Sequence, residues 1–372
     1  MCPSRGRRFG LHSALPIVLA ILLLSFGAGD CSAQQDPGVN FMQTPQVVRF
    51  SAPMLLSAPP PVPRIDPATL LRFPVTVIDA HGHCIDSLNA KDFSLSINGR
   101  QDQIELFHRN RTTSAALAIL VDVSDGMSFR SWHGGKSLHG GVISKVPLAR
   151  DAVAAVLERI DAHDDMFLAS FARRFHIIQD FSADRHGIED RLAMLRPSDD
   201  PEDRNGDGIY EGMIKGITAL AHASKSYDRR ALMVFTSDLY DTSTHGIEDV
   251  IARAQFAGVT VYNIVVLGFE FDAEESLVRS NLGRIAAETG GHTFIVRWRD
   301  YGDILDAAAE ITAELDSQYI LGFAPVPSND NVEGVDLTVN DPTLYAHAPK
   351  AVRYRPDKLP KKLSALGAML PE

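Results

Sequence analysis

The run at residues 116–127 constrains the fold of this chain more than any other segment. It is apolar at first and then changes to Asp122, Ser124 and Gly126. A run of Leu, Ile and Val that ends at polar residues and glycine is typical of a buried parallel strand. Open α/β sheets bind ligands at the carboxyl edge of such strands. Asp122 and Ser124 both offer hard oxygen atoms, so the segment predicts a site for Mg²⁺ or Ca²⁺.

A second segment, residues 231–241, repeats this arrangement. It is an apolar run that ends at Asp238, with Asp241 three residues later. In a doubly wound sheet of strand order 3-2-1-4-5-6, the first and fourth strands are neighbours where the winding reverses. Asp122 follows the first predicted strand and Asp238 follows the fourth. We therefore expect these two carboxylates to face each other across the crevice.

Together the two segments resemble a known family. D-V-S-D-G-M at 122–127 and S-D-L-Y-D at 237–241 are similar to the metal-ion-dependent adhesion site (MIDAS) of von Willebrand factor type A domains. Four flanking segments resemble its secreted bacterial branch, the VWFA-related acidobacterial domain: F-P-V-T-V-I-D-A-H-G at 73–82, K-D-F-S-L-S-I-N-G at 91–99, T-G-G-H-T-F at 289–294 and Q-Y-I-L-G-F at 318–323. The resemblance covers residues 68–356. It implies an α/β fold with a doubly wound, mostly parallel, Rossmann-like sheet, and a protein ligand whose Asp or Glu completes the metal coordination.

Two positions depart from the family pattern. The pattern D-x-S-x-S has Gly126 at its fifth position, and Asp207 in G-D-G-I-Y-E stands where a threonine is expected. The resemblance then implies a metal site made of Asp122, Ser124, Asp207 and Asp238. Three carboxylates overcompensate the charge of one divalent ion, so we expect tight metal binding and a weaker pull on an acidic partner. A scaffold that has lost its metal is the alternative, because a fold does not guarantee a function.

Asp207 has a second interpretation. D-R-N-G-D-G at 203–208 resembles the opening of a calcium loop, but Ile214 occupies the position of the bidentate glutamate, which argues against an EF-hand. A turn that caps the following helix explains the same residues. We favour Asp207 as a ligand of the adhesion site.

Composition and the pattern of predicted strands and helices divide the chain into six regions. Eight prolines and few charges in residues 34–67 favour extended chain. In the middle of the chain, predicted strands alternate with predicted helices, which indicates a sheet covered by helices on both faces. On either side of this middle region the sequence predicts strands without helices between them. Each flank has too few strands to bury a face alone, so we expect the two to form one small β-domain. The regions are a signal peptide (1–33), a Pro-rich linker (34–67), the first segment of the β-domain (68–112), a von Willebrand A domain (113–316), the second segment of the β-domain (317–356) and a tail (357–372).

The first flank contains a hairpin signal. Residues 93–97 alternate apolar and polar side chains, Asn98-Gly99 is a strong turn dipeptide, and residues 104–107 are the next apolar run. We expect these two runs to pair.

The N-terminus has the composition of a secretory signal peptide. Basic residues precede an apolar stretch at 15–26, and small residues lead to a predicted cleavage after Ala33. We expect a secreted or periplasmic product, with an uncleaved anchor as the alternative. Asp30 before Cys31 does not fit a lipoprotein signal. After cleavage Cys84 is the remaining cysteine, so no intrachain disulfide can form.

Charge excludes one class of partner. The net charge is -11 and the isoelectric point is near 5.6, which argues against nucleic-acid binding because that needs a basic surface to neutralise phosphates. The sequence beyond the signal peptide has no apolar run near 20 residues, so we expect no stable membrane span after cleavage.

Catalysis is the less favoured function. A hydrolase would use Ser124 as nucleophile with His133 or His139 as its base, but the sequence has no G-x-S-x-G elbow and no zinc-ligand spacing. Gly135-Lys136-Ser137 lacks the glycine that a phosphate-binding loop requires six residues before the lysine. We expect that the chain is not an enzyme but an exported, metal-dependent, adhesion-type module that binds a protein.

Export can be tested directly on secreted material. Cleavage after Ala33 should give a mature chain whose N-terminal sequence begins at Gln34, and Edman sequencing or mass spectrometry of the N-terminal peptide measures this. A lipid-modified Cys31, or an intact chain kept in the cytoplasm, would contradict the prediction.

Overall fold

The computed structural model describes ten stretches of the chain, and all of them lie in the compact unit Val62–Glu372. They are residues 69–109, 114–130, 142–204, 208–223, 225, 227–237, 241–267, 272–297, 300–325 and 331–355. The predicted signal peptide, linker and tail lie outside the described residues, as do Asp207, Asp238, His133 and His139. The predictions made on them stay predictions.

The described residues contain sixteen strands and six α-helices. The strands are β1 (Leu71–Ile78), β2 (Phe93–Ile97), β3 (Arg100–Asp102), β4 (Leu106–Arg109), β5 (Ala115–Asp122), β6 (Ser128–Arg130), β7 (Val142–Ser144), β8 (Asp165–Phe171), β9 (Phe175–Ser182), β10 (Arg229–Thr236), β11 (Val259–Leu267), β12 (Thr293–Arg297), β13 (Tyr319–Phe323), β14 (Val332–Val339), β15 (Tyr345–His347) and β16 (Ala351–Arg353). The helices are α1 (Val146–Arg159), α2 (Arg185–Ala193), α3 (Ile209–Ala221), α4 (Ile247–Ala257), α5 (Asp272–Thr289) and α6 (Tyr301–Ser317). None of these helices has the length and apolar character that a membrane crossing requires.

A six-stranded sheet forms the centre of the fold, in the order β9-β8-β5-β10-β11-β12. Neighbouring strands run parallel, except that β9 is antiparallel to β8 at one edge. In chain order within this sheet, the arrangement is 3-2-1-4-5-6. The predicted fold class, a doubly wound and mostly parallel α/β sheet, is confirmed.

Helices cover both faces of this sheet. All eight residues of β5 are buried, because α1, α2 and α6 pack on one face and α3, α4 and α5 pack on the other. Burying one Val, Leu or Ile side chain contributes about 1.5–3 kcal/mol, which explains why the central strands are apolar on both faces. The end of β5 therefore has a fixed position in the interior of the molecule.

The two flanks build the smaller β-domain together. One four-stranded sheet has the order β15-β1-β13-β4, and another has the order β16-β14-β2-β3, so each contains strands from both flanks. The buried Tyr319 hydroxyl joins them further, since it accepts a hydrogen bond from the Leu88 amide at 3.0 Å and donates one to the Ile85 carbonyl at 2.8 Å. Neither flank could bury its apolar face without the other.

The hairpin prediction is wrong in its second strand. β2 pairs with β3, through a turn at Asn98 and Gly99 whose φ angles are 51° and 76°. Positive φ at both central residues is the geometry of a two-residue hairpin turn, and so short a turn fixes the partner strand immediately after it. Residues 104–107 lead instead into β4, which pairs with β13 in the other sheet.

Removing the second flank should unfold the first. A chain that ends at Ser317 lacks β13, which lies between β1 and β4, and β14, which lies between β2 and β16. We expect limited proteolysis of this truncation to cut within residues 69–109 while the central sheet stays protected. Removal of residues 357–372 alone is the matched control and should leave the digestion pattern unchanged. Protection of residues 69–109 in the long truncation would refute the shared β-domain.

Candidate metal-binding edge of the central sheet

Asp122 is the last residue of β5, and its side chain is held from two directions. It is 0% exposed. Its Oδ1 accepts the Ser124 amide at 2.8 Å, and its Oδ2 accepts the Thr236 hydroxyl, at the end of the neighbouring β10, at 2.8 Å. A buried carboxylate is tolerated only with such donors, because burial removes it from water. The pairing of β5 with β10 thus sets the orientation of this carboxylate.

Ser124 offers a free oxygen beside this carboxylate. The residue is 1% exposed, and its Oγ has no hydrogen-bond partner among the described residues. A buried hydroxyl without a partner costs about 1–3 kcal/mol, which a cation ligated by this oxygen would offset. Asp122 and Ser124 together supply oxygen ligands, the donor set that suits Mg²⁺ or Ca²⁺. These residues therefore fit the metal that the sequence predicts.

A buried ammonium group reaches the same loop. Lys145 is 4% exposed, and its Nζ donates to the Val266 carbonyl at 3.1 Å and to the Gly126 carbonyl at 3.4 Å. The Ser237 hydroxyl donates to the same Gly126 carbonyl. A positive charge thus lies next to the position where the family pattern has its second serine. Sequence reasoning missed Lys145, because a lysine just before a helix gives no sign that it points inward.

Another buried carboxylate lies close by. The Ser198 amide donates to the Val123 carbonyl at 2.8 Å, and the Ser198 hydroxyl donates to Asp203 Oδ2 at 2.6 Å. Asp203 is buried, and its Oδ1 has no partner within the described residues. This carboxylate therefore approaches the loop after β5 through Ser198 and adds negative charge there.

The start of α3 is tied to the loop after β10. The Asp241 carboxylate accepts the Ser243 hydroxyl at 2.7 Å and the backbone amides of Ile209 and Tyr210. Burial raises the pKa of Asp241, and these hydrogen bonds act against that rise. An acidic group at a helix N-terminus is stabilised by the unpaired amides there.

Glu211 holds the same loop from the helix side. Its carboxylate accepts the Thr244 hydroxyl at 2.7 Å and contacts His245 Nδ1 at 2.8 Å. The Thr244 and His245 contacts lower the pKa of Glu211 to about 2, so the group is ionised at neutral pH. The loop at 241–245 is therefore anchored at the carboxyl edge of the sheet.

The structure brings two of the four predicted ligands together. Asp122 ends β5 and Ser124 follows it in the loop, and the Asp122 carboxylate contacts the end of β10, where the winding of the sheet reverses. That is the position at which open α/β sheets bind ligands. Asp207 and Asp238 lie outside the described residues.

No protein-family profile matches the chain, and no curated protein matches its sequence. Distantly similar solved structures include proximal thread matrix protein 1 from the mussel byssus, a structure with a zinc-occupied MIDAS motif. It is 11% identical with a TM-score of 0.42, over 59% of this chain and 49% of its own. BatB from Bacteroides thetaiotaomicron is 14% identical with a TM-score of 0.40, over 54% of this chain and 98% of its own. The PilB minor pilin from Streptococcus sanguinis is 15% identical with a TM-score of 0.37, and the alignment spans 56% of this chain and 62% of the pilin.

The Thr236 contact makes a measurable prediction. Thr236→Val removes the donor to Asp122 Oδ2, so a buried carboxylate oxygen loses a partner, and we expect the free energy of unfolding to fall by about 1–3 kcal/mol. Urea unfolding followed by circular dichroism measures it. Thr338→Val, on an exposed position of β14, is the matched control and should stay near the wild-type value. Equal decreases in the free energy of unfolding in the two variants would show that the hydrogen bond to Asp122 does not stabilise the fold.

Proposed function

We propose that this protein is an exported von Willebrand A-type module that binds a protein ligand through a divalent cation at the carboxyl edge of its central sheet. The proposed ligands are Asp122, Ser124, Asp207 and Asp238, and the proposed ion is Mg²⁺ or Ca²⁺. An Asp or Glu of the partner would complete the coordination, as the sequence resemblance implies. The secreted or periplasmic location follows from the N-terminal segment.

The observation that carries this proposal is the Ser124 hydroxyl. It is buried beside Asp122, and its oxygen has no hydrogen-bond partner among the described residues. Buried polar atoms are nearly always paired, so an exception at a ligand-binding edge calls for a partner from outside the chain, such as an ion. The D-x-S spacing places this oxygen next to the carboxylate that such an ion requires.

The residues at this edge of the sheet have different structural roles. Thr236 and the Ser124 amide fix the Asp122 carboxylate, so that its orientation is set before any ligand arrives. Lys145 donates to the Gly126 carbonyl and so joins the loop after β5 to Val266 near the end of β11. The loop at 241–245 is fixed to α3 by Asp241 and Glu211. When bound, the ion would supply a positive centre that accepts an oxygen of an acidic partner.

We propose a binding role and not a catalytic one. A serine nucleophile needs an adjacent general base within about 2.6–3.2 Å. The described residues place no such base against the Ser124 hydroxyl. A ligand role uses the same oxygen without requiring one.

Metal binding should stabilise the fold. A ligand that binds only the folded state at a hundred times its Kd adds about 2.7 kcal/mol of stability. For a domain of this size each kcal/mol raises Tm by about 2–4 °C, so saturating Mg²⁺ or Ca²⁺ should give a clear increase in a thermal melt. Asp122→Asn keeps the shape of the side chain but removes its charge, and it should abolish the increase.

The matched control is Asp336→Asn, because Asp336 is an exposed aspartate on β14. This variant should keep the full metal-dependent rise in Tm. Calorimetric titration of the mature wild type gives the affinity and the preference between Mg²⁺ and Ca²⁺. A wild-type Tm that does not respond to either ion would overturn the metal-dependent function and favour the scaffold alternative.

A further inference from the structure

Three residues with metal-binding side chains meet at the opposite end of the central sheet from Asp122. His292 directly precedes β12, Glu314 lies near the C-terminus of α6, and His347 is the last residue of β15. One ligand atom from each side chain lies within 4.8 Å of the other two. Because β12 starts at Thr293, this cluster is at the amino edge of the parallel strands, whereas Asp122 is at their carboxyl edge.

Two atoms of the cluster are buried and lack partners. Glu314 is 4% exposed, and its Oε2 has no hydrogen-bond partner in the described stretches. The same is true of His347 Nδ1. His292 is exposed, and its ring lies 5.9 Å from the His347 ring, measured between centroids. Burying a carboxylate oxygen and an imidazole nitrogen without partners is unfavourable, unless a third group binds both.

The backbone fixes the position of His292. Gly290 has φ of +82°, and a Cβ at Gly291 would lie 2.0 Å from the Val261 carbonyl oxygen, so glycine is required where the chain passes the start of β11. The His292 carbonyl then accepts the Asn263 amide at 3.0 Å. His292 thus reaches the cluster from a rigid turn.

The other two residues are equally well placed. Glu314 is on the buried side of α6 next to Tyr262 of β11, and His347 pairs with Thr76 of β1 in the antiparallel sheet. The three residues therefore come from three separate parts of the described fold: the turn before β12, α6 and β15.

We propose that His292, Glu314 and His347 form a second cation site, for a Zn²⁺-type ion. Two imidazole nitrogens and one carboxylate are ligands that Zn²⁺ takes in proteins, whereas Mg²⁺ and Ca²⁺ prefer oxygen alone. Tetrahedral Zn²⁺ with ligand distances of about 2.0–2.2 Å needs its ligand atoms to lie ~3.3 Å apart. Side-chain rotations that bring the three atoms together by an ångström or two meet this requirement.

A cavity adjoins the two histidines of the cluster and leaves room for a fourth ligand. The cavity has a volume of about 440 Å³, and Gly290, His292, His347 and Lys350 are among the residues that line it. Water would occupy the fourth position, as in sites with three protein ligands. The Lys350 ammonium disfavours a cation nearby, and the buried charge of Glu314 offsets this effect.

An ion bound at this site would connect the α/β sheet to the β-domain. His292 and Glu314 belong to the α/β region, and His347 belongs to the sheet that the flanks build. An ion bound by all three would fix β15 against α6 and the start of β12. This site is independent of the proposed function at Asp122, since the two share no residue.

Zinc titration of the mature chain, in the presence of excess Mg²⁺ to fill the Asp122 edge, tests the proposal. We expect one Zn²⁺ per chain in the calorimeter for the wild type. His292→Gln/His347→Gln and, separately, the isosteric Glu314→Gln should each lower the Zn²⁺ affinity by at least about tenfold, since even loss of an outer-shell partner costs 10–100-fold. Circular dichroism confirms that each variant is folded.

His83→Gln is the matched control. His83 Nδ1 lies 3.1 Å from Asp79 Oδ2 on an exposed loop with His81 nearby, so this control removes a surface group that could attract Zn²⁺ without a built site. It should leave the affinity unchanged. Hydrogen exchange gives a second readout, because Zn²⁺ should slow exchange at residues 345–347 in the wild type and not in the double variant.

Three results would overturn the proposal. The first is a double variant that binds Zn²⁺ with wild-type affinity and stoichiometry, which would place the ion elsewhere. The second is a wild-type chain that shows no Zn²⁺ binding above the level of Glu314→Gln. The third is loss of binding in His83→Gln alone, which would assign the ion to the exposed loop.

Discussion

The buried carboxylate of Asp122 is the constraint on which the carboxyl edge of the sheet depends. Desolvating a charged group costs several kcal/mol, and donors must make up that cost. Here one donor is the amide of the loop after β5, and the other is the Thr236 hydroxyl of β10. The amide is local to the loop, whereas the Thr236 hydroxyl reaches Asp122 only when β5 and β10 pair in their observed register. The arrangement of the Asp122 carboxylate therefore depends on the correct pairing of these two central strands.

The amino edge of the sheet is organised by contacts between the α/β region and the β-domain. Gln255 of α4 donates to the Glu288 carbonyl at 3.0 Å and accepts from Arg353 of β16 at 3.1 Å. The Lys350 amide donates to the same Glu288 carbonyl at 3.1 Å. The end of α5 thus receives hydrogen bonds from its own layer and from the β-domain, just before the turn that carries His292. An ion bound by His292, Glu314 and His347 would strengthen contacts that these two regions already make here.

Local sequence patterns predicted the features that local physics controls. The central strand order followed from apolar runs that end at polar residues together with the doubly wound arrangement, and Asp122 and Ser124 followed from the same runs. Lys145 could not be predicted, because its partners lie 19 and 121 residues away in sequence. His292, Glu314 and His347 gave no signal either, since no short spacing joins them and only the pairing of β1 with β15 brings His347 to the cluster. The wrong hairpin partner has the same origin, because the residues after Asp102 are recruited by a strand more than two hundred residues away.

Lys145 affects the charge balance of the proposed metal site. On the proposed ligand set, Asp122, Asp207 and Asp238 carry one more negative charge than a divalent ion neutralises. The Lys145 ammonium, which donates to the Gly126 carbonyl, supplies one positive charge beside that set. In a low-dielectric interior this charge acts strongly on its neighbours. The lysine would therefore offset part of the negative charge that the three proposed carboxylate ligands and the nearby Asp203 bring to this edge. An approaching acidic partner would meet less repulsion than the three proposed ligands and the ion alone would give.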